Sequence, residues 1–172
     1  MPQVPVAYLH GENAALELYY LVSTLDDYSA FLLTILDEGS HPNTGTRILQ
    51  AETVRKYLFE DQVAHLGPSQ KTTARKGAQV GVIGSANPSL ASDGELLPGL
   101  RKGWSCGLMV ALERVPGGRT EGCGSWGGLG NSYYWVDPKA GKLGLIMTCL
   151  WPFMDKEVLE LYDQLEKAVY EK

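Results

Sequence analysis

The sequence predicts an α+β fold, an antiparallel sheet flanked by helices, and three observations carry that expectation. Helix signals come early, a run of strand-like segments joined by short reversals follows, and one amphipathic helix closes the chain. Elements grouped by type argue against alternating βαβ units. The segment Gly122 to Pro138 anchors the sheet: five glycines allow close backbone approach, and Tyr133-Tyr134-Trp135-Val136 has the aromatic and β-branched character of a strand. It reads as a strand edge lining a pocket.

In chain order, Met1 to Tyr20 is weakly patterned, and the run Ala14 to Tyr20 fits a short helix or a strand equally. Ser23-Thr24-Leu25-Asp26-Asp27 supplies a hydroxyl N-cap and first-turn carboxylates. Leu25, Tyr28, Phe31, Leu32, Ile35 and Leu36 then recur at helical spacing, and Gly39 ends the helix. A second, short helix is expected over Ala51 to Leu58, with Val54, Tyr57 and Leu58 on one face. From His65 to Gly103 the chain turns Gly-, Ser-, Pro- and Lys-rich without periodicity, which predicts a mobile loop over 65–103.

Trp104 to Val115 reads as a strand, and Pro116-Gly117-Gly118-Arg119 as a reversal. After the organising strand, Asp137-Pro138-Lys139-Ala140-Gly141-Lys142 turns the chain into Leu143 to Thr148, completing a hairpin. Asp155 caps the last helix, whose Val158, Leu161, Tyr162, Leu165, Ala168 and Val169 predict a stripe facing the sheet.

Composition narrows the function. A chain of 172 residues with 44% apolar content fits one domain with a buried core. A net charge of −5 argues against nucleic acid as a partner, and the Lys71 to Lys76 cluster is too small to reverse it. Cys106, Cys123 and Cys149 show neither Cys-x-x-Cys spacing nor nearby histidines, so no metal site, cofactor or disulfide framework is expected. With no leader pattern and no apolar run long enough to span a bilayer, a cytoplasmic chain without a membrane partner is expected.

Several motifs fail on context. Gly122-x-Gly124-x-x-Gly127 matches a dinucleotide fingerprint but is followed by a strand instead of a helix. Gly67-Pro-Ser-Gln-Lys71-Thr72 lacks the glycine that precedes a phosphate-loop lysine. Gly103-Trp104-Ser105-Cys106-Gly107 matches a nucleophile elbow, yet no histidine follows His65, so Ser105 reads as a strand residue and Cys106 as a half-buried thiol. His10, His41 and His65 read as surface residues, and Asp26-Asp27 as helix-terminal charges. All four tryptophans suit a core, and for Trp126 a pocket-wall role is at least as apt.

Taken together, Leu21 to Leu33, Gly45 to Val54, Gly124-Ser-Trp-Gly-Gly128, Tyr134 to Gly141 and Leu145 to Thr148 resemble the C-terminal part of the serine β-lactamase-like family. The likeness is to its esterase and transesterase branch, which includes fungal secondary-metabolite acyltransferases of the lovastatin type. The resemblance implies a sheet covered by helices, as in the C-terminal portion of the β-lactamase/transpeptidase-like fold. It also implies that Trp126, Gly127 and Gly128 border the substrate cleft on the sheet-edge strand, with the Leu129 N–H on the oxyanion side. The implied partner is a small-molecule acyl ester or thioester.

The family's nucleophile pair, Ser-x-x-Lys, and its Tyr-x-Asn partner are absent from residues 1–172. The chain therefore reads as a truncated or partial domain without stand-alone activity, to which a separate N-terminal half could be complementary. A non-catalytic module binding a small molecule or protein is the alternative.

Overall fold

The computed structural model describes residues 23–65 and 81–171. The expectations for Met1 to Tyr20, His10, Gly67 to Thr72 and the Lys71 to Lys76 cluster lie outside these residues.

Helix α1 (Leu25–Leu36) starts where the Thr24 hydroxyl accepts the Asp27 N–H at 3.1 Å, with Asp26 and Asp27 in the positive first turn. It buries Leu32 and Ile35. Gly39 follows at φ +90°, and a Cβ there would lie 2.3 Å from the Leu49 carbonyl oxygen, so the returning chain itself requires glycine. Helix α2 (Ala51–Leu58) buries Val54 alone, leaving Tyr57 exposed.

Within the segment read as one long loop, residues 81–103 carry structure. Strands β1 (Val82–Ile83) and β2 (Gly94–Glu95) pair antiparallel, Val82 against Glu95 and Ile83 against Gly94. Two-residue strands leave no period to read. The Ser85 N–H donating to Asp93 Oδ1 at 2.6 Å and the Lys102 ammonium donating to the Leu97 carbonyl at 2.9 Å tie the hairpin down.

The main sheet has the order β3-β4-β5-β6-β7, antiparallel throughout. Its strands are β3 (Lys102–Trp104), β4 (Met109–Ala111), β5 (Gly124–Gly128), β6 (Ser132–Asp137) and β7 (Lys142–Ile146). The single strand expected over Trp104 to Val115 is thus a hairpin. Its turn is held by Ser105, whose Oγ donates to the Leu108 carbonyl at 3.1 Å and accepts the Leu108 N–H at 3.0 Å. A buried hydroxyl committed to a turn is no elbow nucleophile, and Cys106 beside it is exposed instead of half-buried.

Helix α3 (Lys156–Tyr170), capped by Asp155, covers one sheet face through Val158 and Tyr162, which pack with Met109, Cys123, Tyr133 and Trp135. On the other face, α1 and α2 pack Leu32, Ile35 and Val54 against Val136. The expected α3 stripe splits. Val158 and Tyr162 are buried, whereas Leu161, Leu165 and Val169 stay 46%, 44% and 37% exposed. Glu166 takes a buried place, 4% exposed, because the Arg119 guanidinium meets it from the β4–β5 connection. Trp135 is core, but Trp151 is exposed. No described helix is long and apolar enough to cross a membrane.

Candidate functional site

The Trp-Gly-Gly segment lies on β5, the central strand of the sheet, which corrects the expectation of an edge. The correction is partial in a useful way. Strand β4 pairs only with Gly124 and Ser125, because its chain reverses at Ser105 to Leu108, so Trp126 to Gly128 pair with β6 alone. An edge-like flank therefore opens in the middle of the sheet. The Trp104 ring lies beside it, edge-on to Trp126 at 4.6 Å between centroids.

A cavity of about 950 Å³ opens beside this flank, between the β1–β2 hairpin, the β4–β5 connection and α3. Trp126 lines it with Ser125, Leu96, Met109, Tyr133 and Leu159. A mostly apolar hollow with a few polar groups is the usual form of a small-molecule site. Of the four expected site residues, the structure brings Trp126 to the cavity wall and leaves the other three off it. Gly127 is glycine for a local reason: a Cβ there would come within 2.5 Å of the Tyr133 ring. Gly128 faces open space. Leu129 sits in the following turn, its side chain against the α3-side core. Its N–H has no hydrogen-bond partner among the described residues.

Asn131, which the sequence reading passed over, fixes that turn. At φ +56° it closes the Gly128–Asn131 reversal, and its own N–H donates to the Gly128 carbonyl at 3.0 Å. The side chain is fully buried and fully satisfied. Nδ2 donates to the carbonyls of Leu150 and Pro152 at 3.0 and 2.6 Å, while Oδ1 accepts from the Tyr133 hydroxyl at 2.8 Å and the Asp155 N–H at 3.0 Å. An asparagine after glycine in a turn was the available signal.

A second missed group forms the inner wall. Arg119, 1% exposed, donates through Nε to Glu166 Oε1 at 2.9 Å and through Nη2 to Glu166 Oε2, and lies 5.4 Å over the Trp135 ring. Burial opposes its charge, but nearby Tyr162 and the Glu166 hydrogen bonds win and raise its pKa above the ordinary value. Cys123 lies in the same core, and burial pushes its thiol up to about 12. His41 is a turn residue whose Nδ1 accepts the Thr44 N–H at 3.3 Å, and His65 is exposed. No group of three or more His, Cys, Asp or Glu among the described residues is placed to hold a metal ion.

A five-stranded antiparallel sheet flanked by helices is an α+β arrangement similar to that of β-lactamase-like structures. No family model and no curated protein matches the chain. Among solved structures, it is similar to simvastatin synthase, LovD, from Aspergillus terreus. The unliganded enzyme aligns at 23% identity and a TM-score of 0.59, over 83% of this chain and 33% of that one. Its selenomethionyl derivative aligns at 25% identity and 0.56, over 80% and 31%, and the LovD6 mutant at 24% and 0.59, over 84% and 32%. The chain thus spans about a third of the length of the structures it matches. The likeness read from the motifs is a likeness of fold.

Proposed function

We propose that this chain supplies the oxyanion-side strand and one cleft wall of a serine esterase or transesterase that handles small acyl esters or thioesters of secondary metabolism. The observation that carries the reading is the position of Trp126 to Gly128. Among the described residues they form a flank of β5 that pairs with β6 alone, in a simvastatin-synthase-like fold, with a Leu129 N–H directly after that has no partner there. Such an N–H could stabilise the oxyanion of a tetrahedral intermediate. The nucleophile has to come from a polypeptide bearing Ser-x-x-Lys, a complementing N-terminal half docked against that flank and the cavity.

The test is a titration of the purified chain with the butyryl thioester of N-acetylcysteamine, read by tryptophan fluorescence and by thiol release. Saturable quenching that Trp126→Ala abolishes, without turnover, is the expected result. Turnover that survives replacement of each serine, or no binding at all, overturns the reading. The size and apolar lining of the cavity favour one alternative, a non-catalytic small-molecule binding module. It predicts the same binding, but no activity when a Ser-x-x-Lys half is supplied in trans.

A further inference from the structure

The cavity wall carries a buried hydroxyl that the fold leaves unused. Ser125 stands opposite Met109 on β4 and Trp135 on β6, so its side chain shares the sheet face on which both pack toward α3. It lines the cavity and is only 3% exposed. Its Oγ has no hydrogen-bond partner among the described residues, whereas the other buried serine there, Ser105, spends its hydroxyl on a turn. Trp135 Nε1 is the one described side-chain polar atom that is both unpaired and sealed off, so the unpaired Ser125 Oγ opens onto the cavity. A buried hydroxyl with no partner forfeits its hydrogen bonds to water, and a ligand atom in the cavity restores one.

Tyr162 lines the same cavity, its ring 5.3 Å from that of Trp135. Its hydroxyl accepts from Arg119 Nη2 at 3.4 Å and donates to no acceptor among the described residues. Two hydroxyl donors therefore neighbour Trp135, which suits a ligand oxygen that accepts.

No described cation on the wall is free to meet an anion. Arg119 is held by Glu166, Lys167 pairs with Asp163 at 2.6 Å, and Lys156 pairs with Glu160 at 3.7 Å. The other carboxylates are engaged as well: Glu95 with the Lys102 ammonium, Asp93 with the Ser85 N–H at 2.6 Å, and Asp155 with the Val158 N–H at 3.0 Å. A charged ligand would give up its hydration here without gaining an unpaired counter-charge. An uncharged one gains the apolar contacts of Leu96, Met109 and Leu159 at no such cost.

We propose that the cavity takes an uncharged, mainly apolar molecule that presents a carbonyl oxygen to the Ser125 hydroxyl, with Tyr162 as a second donor. The inference rests on the cavity holding a small molecule, which both readings above share, and it narrows that ligand. An uncharged ester, thioester or ketone fits; a free acid, or a carrier bearing phosphates inside the cavity, does not.

Equilibrium dialysis of the full chain at pH 7 against acetylnaphthalene, ethylnaphthalene, naphthoate and naphthylmethylamine tests this, since the four share an apolar body and differ in oxygen and charge. Ser125→Ala should weaken binding of the ketone about 3- to 10-fold, the scale of one hydrogen bond, and leave the hydrocarbon unchanged. The hydroxyl has no partner to lose, so circular dichroism and the urea midpoint should match those of the wild type. Ser125→Cys, near-isosteric and a weak donor, should bind the ketone with intermediate strength. Naphthoate and the amine should each bind the wild type at least about tenfold more weakly than the ketone. A ketone indifferent to both Ser125 variants, or a charged probe bound as tightly as the ketone, overturns this inference and leaves the small-molecule reading standing. If no probe binds the wild type, the cavity reading falls and this inference with it; acyl transfer is decided separately, by thiol release with a Ser-x-x-Lys half in trans.

Discussion

At the scale of single residues, the groups that matter most are polar ones taken out of water. Arg119 and Glu166 are both buried and satisfy each other, and Gly118 is glycine because a Cβ there would lie 2.2 Å from Glu166 Oε1. Glu166→Ala leaves a guanidinium buried without its counter-charge, which costs about 3–5 kcal/mol, whereas replacing both partners with methionine is near neutral. Urea unfolding of the two variants beside the wild type checks this; equal losses in the single and double variants would mean the pair is not what the site depends on. Asn131 offers a second contrast. Asn131→Gly keeps the left-handed backbone but loses four buried hydrogen bonds, so it should cost about 2–4 kcal/mol, and Asn131→Ala about 1 kcal/mol more for the positive φ. Equal midpoints for the two variants would show that φ carries no strain.

At the scale of elements, what was legible in the sequence was whatever has a long period or a local chemical cap. Helix α1 announces itself by Thr24 and its spacing, and β6 and β7 by aromatic and aliphatic runs around a turn. The short elements were not legible. Strands of two or three residues, such as β1 to β4, carry no period, and the break at Ser105 depends on a side-chain hydrogen bond that only the folded hairpin makes. Helix α3 was read as one apolar stripe because hydropathy does not reveal that Glu166 has a buried partner 47 residues earlier. Trp126 was legible as a pocket wall; Asn131, Arg119 and the cavity were not, since each exists only once distant segments meet. Glycines show the same division. Gly144 in β7 lies under Trp135, and a Cβ there would sit 1.9 Å from the indole, whereas Gly128 in β5 meets nothing. Gly144→Ala should therefore displace the indole and cost about 1–3 kcal/mol, and Gly128→Ala should cost under 1 kcal/mol. Thermal midpoints and the near-ultraviolet tryptophan signal check the pair. A Gly144→Ala protein with an unaltered tryptophan signal would show that the indole does not depend on that gap.

At the scale of the whole molecule, Asp137 joins parts of the chain that packing alone leaves separate. Read in sequence as a turn residue, it is fully buried and accepts from the Thr120 N–H at 2.7 Å, the Thr120 hydroxyl at 2.6 Å, the Ala140 N–H at 3.0 Å and the Tyr170 hydroxyl at 2.8 Å. It thereby ties the β4–β5 connection, the β6–β7 turn and the end of α3 to one carboxylate. Burial pushes its pKa up, but these hydrogen bonds favour the charged form more strongly and hold it below the ordinary carboxylate value. A group depressed in the folded state binds its proton more readily when unfolded, so its stabilisation is present above the unfolded pKa of about 3.9 and is lost as pH falls through the folded value. Asp137→Asn should cost about 1–3 kcal/mol at pH 7, because the neutral amide accepts fewer and weaker hydrogen bonds from the same four donors. The gap between wild type and variant should hold from pH 7 to about 5 and narrow as the pH drops below about 4, where the unfolded wild-type chain takes up the Asp137 proton before the folded protein does. Urea midpoints across that range decide the matter: a gap that stays constant down to pH 3 would mean that the charge on Asp137 is not what couples the sheet to α3.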